Sequence, residues 1–145
     1  MSGSGAVLAT VSSDAHGWNL VYLELVLREC GFDVVNLGPC TAVREVVDAV
    51  VDTAPALVVL STVNGHGAFE APAYARALRA DVRTRSVPVV VGGKLTTDDR
   101  LDEHQRERLH ASGFDRVFVE ADAVARFRAF VGSLVVADVA ADIAG

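Results

Sequence analysis

Five short apolar runs rich in β-branched residues alternate along the chain with longer stretches whose apolar residues recur at helical spacing. The runs are Ala6 to Val11, Asp33 to Leu37, Leu57 to Ser61, Pro88 to Val91 and Asp115 to Val119. A first helix is expected from about Leu20 to Cys30, with Leu23, Val26 and Leu27 at helical spacing and Gly31 as a left-handed stop. Thr41 reads as the N-cap of a second helix. Later helices are expected from Pro72 to about Arg83, from about Asp98 to Ala111 with Gly113 beyond it, and from Ala121 to about Val136. The Ala-rich end, Ala137 to Gly145, is expected to fray.

Strands alternating with helices imply a parallel sheet, and strands two to four read as near-continuous apolar runs, the pattern of strands covered on both faces. The predicted fold is a single α/β domain: a doubly wound, Rossmann-like sheet of five parallel strands in the flavodoxin-like order 2-1-3-4-5. Such sheets take ligands beyond the carboxyl ends of their strands, above all where strand order reverses between the first and the third. Three loops open on that edge: Ser12 to Asn19, Thr62 to Gly67, and Gly92 to Thr97.

Composition narrows the picture. At 145 residues and 51% apolar, the chain is long enough for one well-buried core, expected over 1–136 with a tail over 137–145. A net charge of −6, with 13 basic residues scattered among 19 acidic ones, disfavours nucleic acid, whose phosphates need a basic stripe. No apolar run approaches the length of a bilayer span, and Met-Ser-Gly-Ser-Gly lacks the build of a signal peptide. A cytoplasmic protein without a membrane partner is expected. Cys30 and Cys40 fall in no CxxC or Cys/His cluster and read as reduced thiols.

The chemistry concentrates in Ser12-Ser13-Asp14-Ala15-His16-Gly17. An Asp two residues from a His can hold the imidazole in one tautomer and present its other nitrogen to a metal. A bare D-x-H is more often a surface loop with a chance neighbour; its position at the switch point favours a ligand. Ser61 points a hydroxyl at the same mouth, where it could equally close the strand in a Ser/Thr turn. Gly65 and Gly67 fit turn chemistry or a close ligand approach, and His66 reads as a solvated loop residue. Gly92-Gly93 leaves room for something flat against the backbone, or is a plain tight turn. His104 and His110 lie on a charged helix at no ligand spacing and read as a solvated face.

Other chemistries of this fold fit less well. Asp14, His16 and Ser61 hold the groups of a hydrolase, but Ser61 is on no G-x-S-x-G elbow, and Asp and His share one loop. A phosphoacceptor receiver needs Asp after strand three and Lys after strand five, where Ser61 and Val119-Glu120 stand. A flavin mononucleotide site would want a phosphate cradle after strand one, and Thr10 to Asp14 supplies it only in part.

From Ala6 to about Val136 the chain resembles the cobalamin-binding proteins, specifically the small subunits of glutamate mutase (methylaspartate mutase). The family pattern D-x-H-x-x-G, then S-x-L, then G-G is met by Asp14-Ala15-His16-Gly17-Trp18-Asn19, Ser61-Thr62-Val63 and Gly92-Gly93. Asn36-Leu37-Gly38, Gly65-x-Gly67 and Gly113 to Val117 are similar too. The resemblance implies His16 as axial cobalt ligand, displacing the cofactor's own base, and Asp14 as its hydrogen-bond partner. It implies Ser61, with Thr62 and Val63 beside it, at the displaced base. Gly92, Gly93, Lys94 and Leu95 would flank the nucleotide tail, and backbone of Ser13, Ala15 and Gly17 would lie near the corrin. Asn19 replaces the motif's last Gly, and Val63 its Leu. Asn tolerates a left-handed backbone and suits the N-cap of a helix beginning at Leu20.

The resemblance implies an adenosylcobalamin-dependent isomerase subunit acting between glutamate and 3-methylaspartate. Strand one begins at Ala6, which is expected to leave no room for the helical cap domain of methyltransferase-type carriers. A separate large catalytic subunit is expected to bind the amino-acid substrate and close over the cofactor. The alternative is a non-catalytic cobalamin carrier or sensor that docks on another protein.

Overall fold

In the computed structural model, residues 5–97, 100–119 and 122–144 are described. They form β1 (Gly5–Ala9), α1 (Gly17–Glu29), β2 (Asp33–Asn36), α2 (Val43–Thr53), β3 (Leu57–Thr62), α3 (Gly67–Ala80), β4 (Val89–Gly93), α4 (Glu103–Ser112), β5 (Arg116–Phe118) and α5 (Ala123–Ala144). All five strands are parallel, in the order β2-β1-β3-β4-β5. The predicted architecture and strand order are therefore borne out.

The alternation of side chains along each strand divides the core between two sheet faces. Val7 and Ala9 of β1 and Val58 and Leu60 of β3 pack with Val46, Tyr74, Leu78 and Leu109 from α2, α3 and α4. Ala6, Leu8, Leu57 and Val59 face the other way, onto Leu20, Val26 and Leu27 of α1 and Phe127 and Val131 of α5. The central strand β3 is buried throughout, whereas β2, at the edge, alternates and leaves Val35 40% exposed. Near-continuous burial thus holds for β3 and fails for β2, because an edge strand has one side open to water.

Several helix starts differ from expectation. Thr41 does not cap α2: its buried hydroxyl donates to the Gly38 carbonyl (2.7 Å) and accepts the Thr10 amide (3.3 Å), tying the β2–α2 loop to the end of β1. Ala42 is the capping position, and Glu45 Oε1 accepts its amide at 3.1 Å. Helix α3 begins at Gly67, which leaves Pro72 inside it. Asp102 caps α4 by accepting the Gln105 amide at 2.7 Å, while Gln105 returns a bond to the Asp102 amide. The expected starts at Asp98 and Ala121, the N-terminal Met1 to Ser4, Glu120 and Gly145 lie outside the described residues. Helix α5 continues past Val136 to Ala144.

Candidate functional site

Beyond β1 the chain must turn toward α1, and Asp14 makes that turn possible. Its amide donates to the Val11 carbonyl at 3.1 Å, and its own carbonyl accepts the Cys40 amide at 2.7 Å. The side chain is 1% exposed. One oxygen accepts the His16 amide at 2.9 Å and faces His16 Nδ1 at 2.7 Å. The other accepts the Val63 amide at 2.9 Å and the Thr62 hydroxyl. Burial pushes this carboxyl up, but the bonds from Thr62, the His16 and Val63 amides and the His16 ring outweigh it and hold the pKa at about 2. An ionised acceptor at Nδ1 places the ring proton there and leaves Nε2 with its lone pair. The His16 side chain is 62% exposed, at the N-cap position of α1. The Asp14 and His16 pairing expected from sequence is therefore formed, and anchored by β3.

Ser13 lies beside this pair, accepting Asn64 Nδ2 at 2.8 Å and donating to Glu70, which Ser12 also reaches at 3.4 Å. Asn64 Oδ1 in turn accepts the His66 amide at 3.0 Å. These bonds join the loops after β1 and β3 to the first turns of α3. Glu70 and Asn64 were not among the sequence candidates; their partners in the β1–α1 loop, Ser12 and Ser13, lie more than 50 residues away, and no local spacing signals those bonds.

Between the sheet, α1 and α5 lies a cavity of about 180 Å³. Ser61, Gly92 and Gly93 line it together with Asn19, Val59 and Phe118, among others. The two glycines are the last residues of β4, paired with Ser61 and Thr62, and not a turn after the strand. A Cβ on Gly93 (φ +104°) would stand 2.1 Å from the Thr62 carbonyl oxygen, and one on Gly92 would stand 2.8 Å from that of Phe118. Close strand contact therefore demands both glycines, and the cavity uses the space they leave.

Other sequence candidates sit elsewhere. Val63 contributes its amide to Asp14, and neither it nor Thr62 lines the cavity. Leu95 is a core residue, 3% exposed, and Lys94 is exposed; their carbonyls accept the Ala68 and Gly65 amides at 2.9 and 3.2 Å. Ala15 is exposed and Gly17 opens α1. Asn19 corrects the backbone expectation. It lies within the first turn of α1, and among the described residues positive φ outside glycine occurs at Cys40 and Ala54. Its side chain does the work: Nδ2 donates to Ser61 Oγ at 2.6 Å.

Among the described residues no three His, Cys, Asp or Glu side chains gather to hold a metal ion. Among those residues, too, no helix is long and apolar enough to cross a membrane.

Residues 5–127 match the family model described as B12 binding domain. The glutamate mutase sigma subunit of Halobacterium salinarum is 37% identical over 115 residues, 77% of this chain and 74% of that one. Among solved structures, a cobalamin-binding protein from Desulfitobacterium hafniense DCB-2 superposes with a TM-score of 0.72 at 24% identity. That match covers 90% of this chain and 58% of the other. A signal receiver domain of a histidine kinase from Syntrophus aciditrophicus shares the fold (TM-score 0.65, 18% identity, 92% of each chain). That likeness is one of fold alone.

Proposed function

The chain belongs to the B12-binding domain family, and from that premise we propose that it is the cofactor-binding subunit of an adenosylcobalamin-dependent glutamate mutase. The observation that carries this reading is the buried Asp14 carboxylate holding His16 at the switch-point edge, with the cavity beside it. In this reading His16 Nε2 would hold the cobalt and the cavity would take the cofactor's own base.

The residues fit such a group. Asp14 would fix the His16 tautomer and the orientation of the ligand nitrogen. Because Thr62 and the Val63 amide also bond Asp14, the imidazole is referenced to β3 and not to a free loop. The cavity, about 180 Å³, is of the size that takes a small aromatic molecule, an engineered apolar cavity of about 150 Å³ being enough for benzene. Val59, Val90 and Phe127 supply apolar walls, and Ser61 a hydroxyl. Bound adenosylcobalamin would supply a carbon-centred radical by homolysis of its cobalt–carbon bond, the source of the rearrangement between glutamate and 3-methylaspartate. Ser13, Ala15 and Gly17 would present backbone toward the corrin, and Lys94 and Leu95 would flank the tail.

The sigma-subunit relatives support a second, larger subunit that binds the amino acid and shields the reaction from water. The cytoplasm is the compartment proposed for the pair. The test is a cobalamin titration followed in the visible spectrum, with paramagnetic resonance of the cobalt(II) form. Coupling to one protein nitrogen, altered by nitrogen-15 histidine and lost in His16→Ala, is expected. Coupling indifferent to the label would defeat the assignment.

A further inference from the structure

Asn19 stands in the first turn of α1 and Ser61 near the end of β3, 42 residues apart in sequence, and both line the cavity. Asn19 Nδ2 donates to Ser61 Oγ at 2.6 Å. A serine hydroxyl has one proton and two acceptor positions. With one acceptor position filled by Asn19, and no hydrogen bond from Ser61 to an acceptor among the described residues, its proton is left for a guest in the cavity. Ser61 is 4% exposed and lines the cavity.

We infer that Asn19 is a specificity-determining positioning residue: by donating to Ser61 it fixes that hydroxyl as a donor toward the cavity, selecting corrinoids whose nucleotide base carries an acceptor ring nitrogen. The inference rests on the corrinoid reading above. A base released from cobalt carries an in-plane lone pair that loses its metal partner, and burying it without a donor is costly. Val59, Val90, Phe118 and Phe127 give the wall no donor, so the side-chain donors that line the cavity are Ser61, the Tyr22 hydroxyl and the second N–H of Asn19. A glycine at position 19 would leave the Ser61 hydroxyl free to turn, whereas the amide holds it in one sense.

The test uses three probes: cobalamin, a corrinoid whose lower base is a phenol ether without ring nitrogen, and cobinamide, which has no nucleotide. Dissociation constants are measured by visible titration for the wild-type chain, Asn19→Asp and Asn19→Gly. Aspartate keeps the shape and suits the first turn of a helix, but it accepts only and draws the Ser61 proton onto itself. Wild type is expected to bind cobalamin about tenfold or more tightly than the phenolic corrinoid. Asn19→Asp should lower cobalamin affinity by about tenfold or more, leaving the other two probes within about twofold, with Asn19→Gly between. An Asn19→Asp variant that keeps the cobalamin preference overturns the inference. So does equal weakening of all three probes, which would make Asn19 a support of α1 alone, or wild-type indifference between the two bases. Wild-type failure to bind any probe through His16 would bring down the corrinoid reading and this inference with it.

Discussion

Asp14 serves two masters, since its carboxylate both closes the β1–α1 loop onto β3 and orients His16. Asp14→Asn sets an amide against donors, the Thr62 hydroxyl and the amides of His16 and Val63, so at least one buried bond is lost. Leaving such a group unmatched costs about 1–3 kcal/mol. Urea unfolding of the cofactor-free variant should show that loss, and cobalamin affinity should fall by about 10- to 100-fold while the spectrum stays His-ligated. A variant as stable as wild type, or one whose spectrum shows the cofactor's own base on cobalt, would contradict this account. The pair itself was legible in the sequence because two residues of spacing in one loop suffice to form it. Its anchorage was not, since Thr62 and Val63 lie 48 and 49 residues downstream and reach Asp14 only once β1 and β3 are adjacent. Asn19 was misread for the same reason: its side chain answers to Ser61, a residue on another element, and local backbone preference does not register that.

Among the elements, strands were read more closely than helix starts. Apolar runs mark buried strands directly, whereas the start of a helix is set by which loop it leaves. Helix α3 springs straight from the site: a Cβ on Gly67 would meet Thr62 Cγ2 at 2.4 Å, and the His66 carbonyl accepts the Phe69 and Glu70 amides. Pro72, which alone suggests a first helical position, is carried inside and gives up the bond to the Ala68 carbonyl. The paired glycines show how one sequence feature can serve packing and site together. Gly93→Ala is expected to cost about 3 kcal/mol or more, because backbone at 2.1 Å cannot yield and φ is +104°. Gly31→Ala shares a left-handed backbone (φ +95°) but meets nothing within 4 Å, so about 1 kcal/mol is expected. Urea midpoints at unchanged slope compare the two. Equal losses would mean that backbone conformation alone, and not the approach of β3 to β4, requires glycine at position 93.

For the molecule as a whole, fold and ligand edge follow from the alternation of apolar runs, but what meets that edge is written only in the surface. Trp18 and Phe69 are 86% and 80% exposed, in the first turns of α1 and α3, the two helices whose N-cap positions are His16 and His66. Two large aromatic side chains beside the proposed cofactor site are costly to leave in water, and interface energy concentrates in such residues. If the larger subunit closes over this edge, Trp18→Ser and Phe69→Ser should leave cobalamin affinity within about twofold. Each should raise the large-subunit concentration needed for half-maximal turnover by about tenfold or more, roughly 1.4 kcal/mol or more of association energy. The isolated chain with adenosylcobalamin should not isomerise glutamate, and turnover should appear on adding a glutamate mutase large subunit. Turnover by the chain alone would show that it binds substrate itself. Turnover that depends on the large subunit but is indifferent to both substitutions would move the contact to another face, leaving cofactor binding by His16 untouched.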